Sequence, residues 1–310
     1  MTVTTIGQVG LGTLGKEFVP RLKAQFGALA VHDRDPQRMA EARQHGAVPA
    51  ASAREVGERV DCILLSLPDP DAVRAVLTGA DGVFAGTRTP RLVIDTTTSD
   101  PETARAMAAL AAARGAVFVE APVSTPIHGV NGVEAARMGQ ATFIVGAPDE
   151  AAFQAAHAVL RPLAKHVFHV GPVGQGSAMK LVTNYVAGAT RVALAEGLAL
   201  AAAMGVPGAR ALDICRHAAA GSQTLEEFDR KYFHGNIEET SFSIDLRYKD
   251  FRLASELARQ LGVPMFLNAV IVELYQMMRA QGLGGKDINV IGPYVASLAG
   301  VDLDAGGRRR

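Results

Sequence analysis

The sequence predicts an α/β chain in two parts: a doubly wound parallel sheet with helices on both faces over residues 1–174, then an all-helical domain over residues 175–310. Three observations carry that reading. Short β-rich runs alternate with helical patterns through the first half. A glycine-rich turn, GLGTLG at 10–15, separates the first strand from the first helix. Beyond the joint GPVGQGS, at 171–177, no convincing strand pattern remains.

Taken in order, the first strand falls within Val3–Val9, and Lys16–Phe26 has amphipathic helical spacing. Further strands are predicted at Ala28–His32, Val60–Leu67, Leu92–Thr96, Ala116–Val123, Thr142–Val145 and His166–Val170. Several are apolar on both faces, as in Cys62–Leu65, which suits central parallel strands covered on both sides. Helix starts are marked by an N-capping acid followed by proline: Asp69–Pro70 in PDPDAVRAVL and Asp100–Pro101 in SDPETARAMAALAAA. Helical periodicity resumes by Ala178 and runs to the tail. The most apolar long stretch, Leu181–Met204, contains Arg191, Glu196 and many small residues, and reads as a closely packed soluble helix rather than a membrane span.

Composition narrows the function classes. With 48% hydrophobic residues, 310 residues suffice for two cores. Lys plus Arg and Asp plus Glu balance at 31 each and are dispersed, which argues against a nucleic-acid partner; Arg308–Arg310 reads as a frayed end. Cys62 and Cys215 stand far apart, and nothing near Met1 has the pattern of a secretory signal, so a reducing, cytoplasmic location is expected. His128, His217 and His234 have no metal-ligand spacing, and no metal is expected.

The glycine turn explains itself in this context. Gly10, Gly12 and Gly15 close a strand and open a helix, and Asp33 ends the second strand about twenty residues on, the pattern of a dinucleotide-binding Rossmann domain. Gly10 permits the tight turn, Gly12 lets the backbone approach a pyrophosphate, and Gly15 lets helix and strand pack closely. The stretch Gly10, Leu11, Gly12, Thr13, Leu14 and Gly15 would thus cradle the cofactor at a helix N-terminus. Asp33 would accept hydrogen bonds from the adenosine ribose and repel a 2′-phosphate, favouring NAD; Arg34 beside it and Arg38 one turn on keep NADP in play.

In AMKLVTNYVAG, Lys180 and Asn184 stand four residues apart on one face of an otherwise apolar helix. They are either a structural pair, with the lysine snorkelling, or working groups. A hydride-transfer enzyme needs a group to take or return the hydroxyl proton, and a partly desolvated lysine can do so, with the asparagine holding the lysine or the substrate.

These residues, with the motifs VGLGTLG, LLSLPD, VIDTTTSDPET, FVEAPVS, GQGSAMKLVTN, IDLRYKDFRLA, GVPMFLNAVIVELY and GLGGKDINVI in that order, resemble the β-hydroxyacid dehydrogenase family over nearly the whole chain. The resemblance implies an NAD(P)-dependent oxidoreductase of a small 3-hydroxy acid or its semialdehyde, with the site in the cleft between the domains and a homodimeric or homotetrameric assembly. It further implies Lys180 as the catalytic lysine, Asn184 as its assistant and Ser124 as a binder of the substrate carboxylate and hydroxyl. Thr97 and Thr98 match contacts to the nicotinamide ribose, Leu67 and Pro68 the loop lining the adenosine side, and Lys249 a lysine close to cofactor and substrate. The alternative for Lys249 and Asp250 is a surface ion pair of little energetic worth.

One segment departs from the family pattern. Where the family usually has APVSGG, this chain has APVSTP, so Thr125 and Pro126 replace two glycines and Pro126 removes a backbone N–H. The segment either presents Thr125 or His128 to a larger or differently charged substrate or is an inert surface excursion. The alternatives to a hydroxyacid enzyme are a reductase of another carbonyl or an imine, and a dinucleotide-binding sensor without turnover.

Overall fold

A computed structural model describes residues 2–124 and 132–308. Thr125, Pro126 and His128 therefore lie outside the described residues. The chain forms two compact units, one of residues 2–124 and 132–181, the other beginning at Val182.

The first unit is built on strands β1 (Ile6–Val9), β2 (Leu29–His32), β3 (Val48–Pro49), β4 (Cys62–Leu65), β5 (Leu92–Asp95), β6 (Val117–Glu120), β7 (Val123–Ser124), β8 (Ala141–Gly146) and β9 (Ala164–Gly171). Between them run helices α1 (Gly15–Phe26), α2 (Pro36–Gln44), α3 (Ala53–Arg59), α4 (Pro70–Thr78), α5 (Pro101–Ala112), α6 (Gly132–Arg137) and α7 (Glu150–Leu160). The strand order is β3-β2-β1-β4-β5-β6-β8-β7, with β9 on β8. The first six strands are parallel in the order 3-2-1-4-5-6, so the winding reverses between β1 and β4, where open sheets of this type hold their ligands. In β4, Cys62 and Leu64 join one apolar core, and Ile63 and Leu65 join the other on the opposite face. This is the physical basis of the double-faced apolar runs.

The sheet departs from the predicted parallel pattern at one side, where β8 runs antiparallel to β6 and β7. Two strands, β3 and β7, were not anticipated; at two residues each they are too short to show a period. The predicted run Ala116–Val123 divides because β6 ends at Glu120 and β7 begins at Val123, across Pro122. The two predicted caps form: Asp69 accepts from the N–H of Ala72 and Asp100 from that of Thr103.

Helix α8 (Gln175–Ala203) carries the chain from the first unit into the second, the two dividing after Leu181. The rest is α9 (Gly208–His217), α10 (Gln223–Phe228), α11 (Ile244–Leu261), α12 (Phe266–Ala280) and α13 (Ile291–Leu298). Among the described residues the second unit has no strand beyond isolated bridges. By length and composition α8 could cross a bilayer. Its Arg191, however, is fully buried, donating through Nε to Asn289 at 3.0 Å and pairing with Glu227, the signature of a core helix in a folded domain. Phe251 on α11 and Tyr275 on α12 pack edge to face at 5.0 Å, which fixes α11 in the core of this unit.

Candidate active site

The turn after β1 shows why each glycine is there. Gly10 has φ +93°, and a Cβ on it would overlap the Ser66 carbonyl at the end of β4. A Cβ on Gly15 would overlap the carbonyl of Gly10. Gly12 differs: a Cβ there would meet only Arg38 Nη1, at 3.8 Å, so the protein's own packing does not require a glycine. The open space over Gly12 fits a pyrophosphate brought against the backbone, at the N-terminus of α1, where the cap residue Leu14 supplies no side-chain hydrogen bond. Gln8, unsuspected from sequence, braces this turn from inside, donating to the carbonyls of Gly10 at 3.0 Å and Gly15 at 2.7 Å.

Asp33 stands just past β2. Its carboxylate accepts the N–H of Leu11 at 2.7 Å and of Asp35 at 2.9 Å, which ties it to the turn. The Leu11 side chain lies in the core, so its part in the turn is structural as well. Arg38 reaches Asp33 at 3.6 Å and Asp35 at 3.3 Å, while Arg34 is exposed. Thr13 is exposed and Leu14 half-buried. Beyond β4 and β5, the Leu67 N–H donates to Thr97 Oγ1 at 3.1 Å, and Thr97 N–H to Asp95 Oδ1 at 3.0 Å. Leu67 with Pro68, and Thr97 with Thr98, therefore lie beyond the carboxyl ends of β4 and β5, beside the glycine turn after β1. Ser124 ends β7, paired in register with Thr142 of β8.

Lys180 is 6% exposed and Asn184 is 8% exposed, one helical turn apart on α8. In the second unit, Asn184 Nδ2 donates to Asp250 Oδ2 at 2.6 Å, and Lys249 Nζ stands 3.3 Å from Asp250 Oδ1. Because a carboxylate only accepts, this contact orients the amide: nitrogen toward Asp250, carbonyl oxygen away. Arg247, sandwiched near Phe242, donates to the Asn184 carbonyl at 2.8 Å and steadies α8 there. The surface-pair reading of Lys249 and Asp250 fails, because Asp250 is 2% exposed. Spacing alone could not show this, since burial is set by α11 packing on its neighbours.

A fold of this kind, with a dinucleotide turn at the switch point and a buried lysine and asparagine on α8, defines a nicotinamide-dependent oxidoreductase. Residues 5–171 match the family model described as the NAD binding domain of 6-phosphogluconate dehydrogenase, and residues 174–294 that described as NAD-binding of NADP-dependent 3-hydroxyisobutyrate dehydrogenase. The chain is 29% identical to 2-(hydroxymethyl)glutarate dehydrogenase of Eubacterium barkeri, over 97% of this chain and 98% of that protein. It is 31% identical to the probable mitochondrial 3-hydroxyisobutyrate dehydrogenase of Dictyostelium discoideum, over 93% of this chain and 89% of that one. The solved 3-hydroxyisobutyrate dehydrogenase of Mycobacterium tuberculosis superposes with a TM-score of 0.82 at 27% identity, covering 96% of this chain and 99% of that one. The chain belongs to the β-hydroxyacid dehydrogenase family. Its activity is that of a nicotinamide-dependent hydroxyacid dehydrogenase acting on CH–OH donors.

Proposed function

We propose that the protein interconverts a small 3-hydroxy acid and its semialdehyde with NAD as the preferred cofactor, and that Lys180 passes the proton. The observation that carries this reading is the burial of an ammonium-bearing side chain, Lys180, on the same helix face as an asparagine whose amide is oriented by Asp250. A bound nicotinamide supplies the hydride acceptor or donor at its C4. In the oxidative direction the neutral Lys180 amine takes the hydroxyl proton, and in reduction the ammonium returns it to the carbonyl oxygen. Asn184 and Ser124 orient the substrate hydroxyl and carboxylate, and Lys249 supplies positive charge nearby. Gly10, Leu11, Gly12, Thr13, Leu14 and Gly15 would hold the pyrophosphate, with Leu67, Pro68, Thr97 and Thr98 beside it.

Preference for NAD is supported by the two carboxylates around Arg38: a guanidinium already paired with Asp33 and Asp35 has less to offer a 2′-phosphate, and Asp33 repels one. A homodimer or homotetramer in the cytoplasm completes the reading. Phe266, Leu267, Val270 and Met277 on α12 are all exposed, Phe266 at 85%, an apolar surface that a second copy would cover. The free thiols of Cys62 and Cys215 fit a reducing compartment.

The test is Lys180→Ala, assayed with 3-hydroxyisobutyrate and NAD. Turnover should fall by about a thousandfold or more while NAD affinity changes by less than about threefold. Retained turnover would remove the proton-passing role, and wild-type protein that binds NAD but turns over no hydroxyacid would favour a sensor.

A further inference from the structure

Glu120, the last residue of β6, is 1% exposed and lies under the start of α8. Its Oε1 accepts the N–H of Gly174 and, at 2.9 Å, that of Gly176. Its Oε2 accepts the N–H of Ser177 at 3.1 Å and the Ser177 hydroxyl. One carboxylate thereby satisfies N–H groups at the start of a 29-residue helix.

The socket around it is made of glycine. A Cβ on Gly146 would overlap the Glu120 carboxylate itself. One on Gly176 would lie 2.6 Å from the Ile144 carbonyl oxygen and 3.2 Å from Glu120 Cγ. Gly174 has φ +104°, a conformation that side-chain-bearing residues rarely adopt. Three glycines from two segments thus allow the first turn of α8 to close on a single buried anion. Burial, the largest effect, leaves the carboxyl above its usual range, although the Ser177 hydroxyl and the three N–H groups pull it down.

Lys180 follows Ser177 by three residues, so it stands one turn along the helix that this carboxylate anchors. We propose that Glu120 is the positioning residue for Lys180: it locks the first turn of α8 to the end of β6 and so sets where the amine stands. The proposal rests on the reading of Lys180 as the proton-passing group. A glutamine cannot replace the carboxylate here. Its amide nitrogen would face an N–H donor on either side, so at least one of the three N–H contacts is lost. Loss of the negative charge also makes the Lys180 ammonium easier to deprotonate.

The experiment compares Glu120→Gln and Ser177→Ala with the wild-type full chain, using 3-hydroxyisobutyrate and NAD. It reads kcat, KM, NAD affinity, the pH profile of kcat/KM and the melting temperature. For Glu120→Gln, kcat should fall by about tenfold or more with NAD affinity within about twofold, and the profile limb governed by Lys180 should move to lower pH. Ser177→Ala, which removes one of four contacts, should show a smaller loss of kcat. A wild-type kcat and pH profile in Glu120→Gln would overturn the proposal, as would a lower melting temperature with the profile unmoved. If Glu120→Gln fails to fold, Ser177→Ala decides, and an unchanged kcat there overturns it. Lys180→Ala keeps the two readings apart: retained turnover in that variant sinks the lysine role, whereas an inactive Lys180→Ala beside a normal Glu120→Gln sinks only the positioning role.

Discussion

Asn184 donates its amide N–H to Asp250 across 2.6 Å, linking α8 to α11 inside the helical unit. The contact is buried on both sides, and Lys249 stands against the second carboxylate oxygen. A charge-assisted bond of this length is stronger than a neutral one, so it holds the amide in one orientation.

Asp250→Asn should reduce kcat by about ten- to a hundredfold, because the Asn184 amide can then pair either way round. Steady-state kinetics measured beside NAD titration checks this.

The glycine turn predicts two different failures. Gly12→Ala should leave thermal stability within about 0.5 kcal/mol of wild type and weaken NAD binding by about tenfold or more, because its Cβ fills space the protein itself leaves open. Gly10→Ala should destabilise the fold by about 2 kcal/mol or more, since it sets a Cβ at positive φ against the Ser66 carbonyl. Denaturant titration of each variant without cofactor separates the two effects.

Cofactor choice should answer to Asp33. Asp33→Asn removes the charge that repels a 2′-phosphate and leaves Arg38 only Asp35 as a partner. The ratio of kcat/KM for NADP over NAD should rise by about tenfold. Adding Arg38→Ala should cancel most of that rise.

Acid sensitivity should trace in part to Asp61. The Thr4 hydroxyl, chiefly, holds its carboxyl below the usual 3.8, with Thr5 and Arg91 adding to the effect against its burial. A folded-state value below the unfolded one means the stabilisation is complete above the unfolded value and is lost as pH falls through the folded one. Asp61→Asn should therefore cost about 1 kcal/mol at neutral pH and flatten the stability loss below about pH 4, as read by urea titration across pH.

Much of this was legible in the residues. The glycine turn, the acid ending β2, the Asp-Pro helix starts and the paired Lys180 and Asn184 are local patterns, each written in a few consecutive residues and each found in its expected element. Short strands were not legible, because β3 and β7 have two residues each and derive their existence from neighbours already in place. Nor were Gln8 and Glu120 singled out. Both sit in strands where a lone polar residue gives no periodic signal, and their partners lie up to 57 residues away.

By itself the order of residues determined the alternation of strand and helix, the dinucleotide turn and the helix carrying the lysine, since these follow from backbone preference and apolar spacing over short range. Tertiary structure decided which polar side chains are withdrawn from water and what faces them. It turned Asp250 from an apparent surface charge into the buried partner of Asn184, and gathered four donors onto Glu120. Burial and hydrogen-bond partnership depend on which distant segments meet, and no short stretch of sequence contains that information.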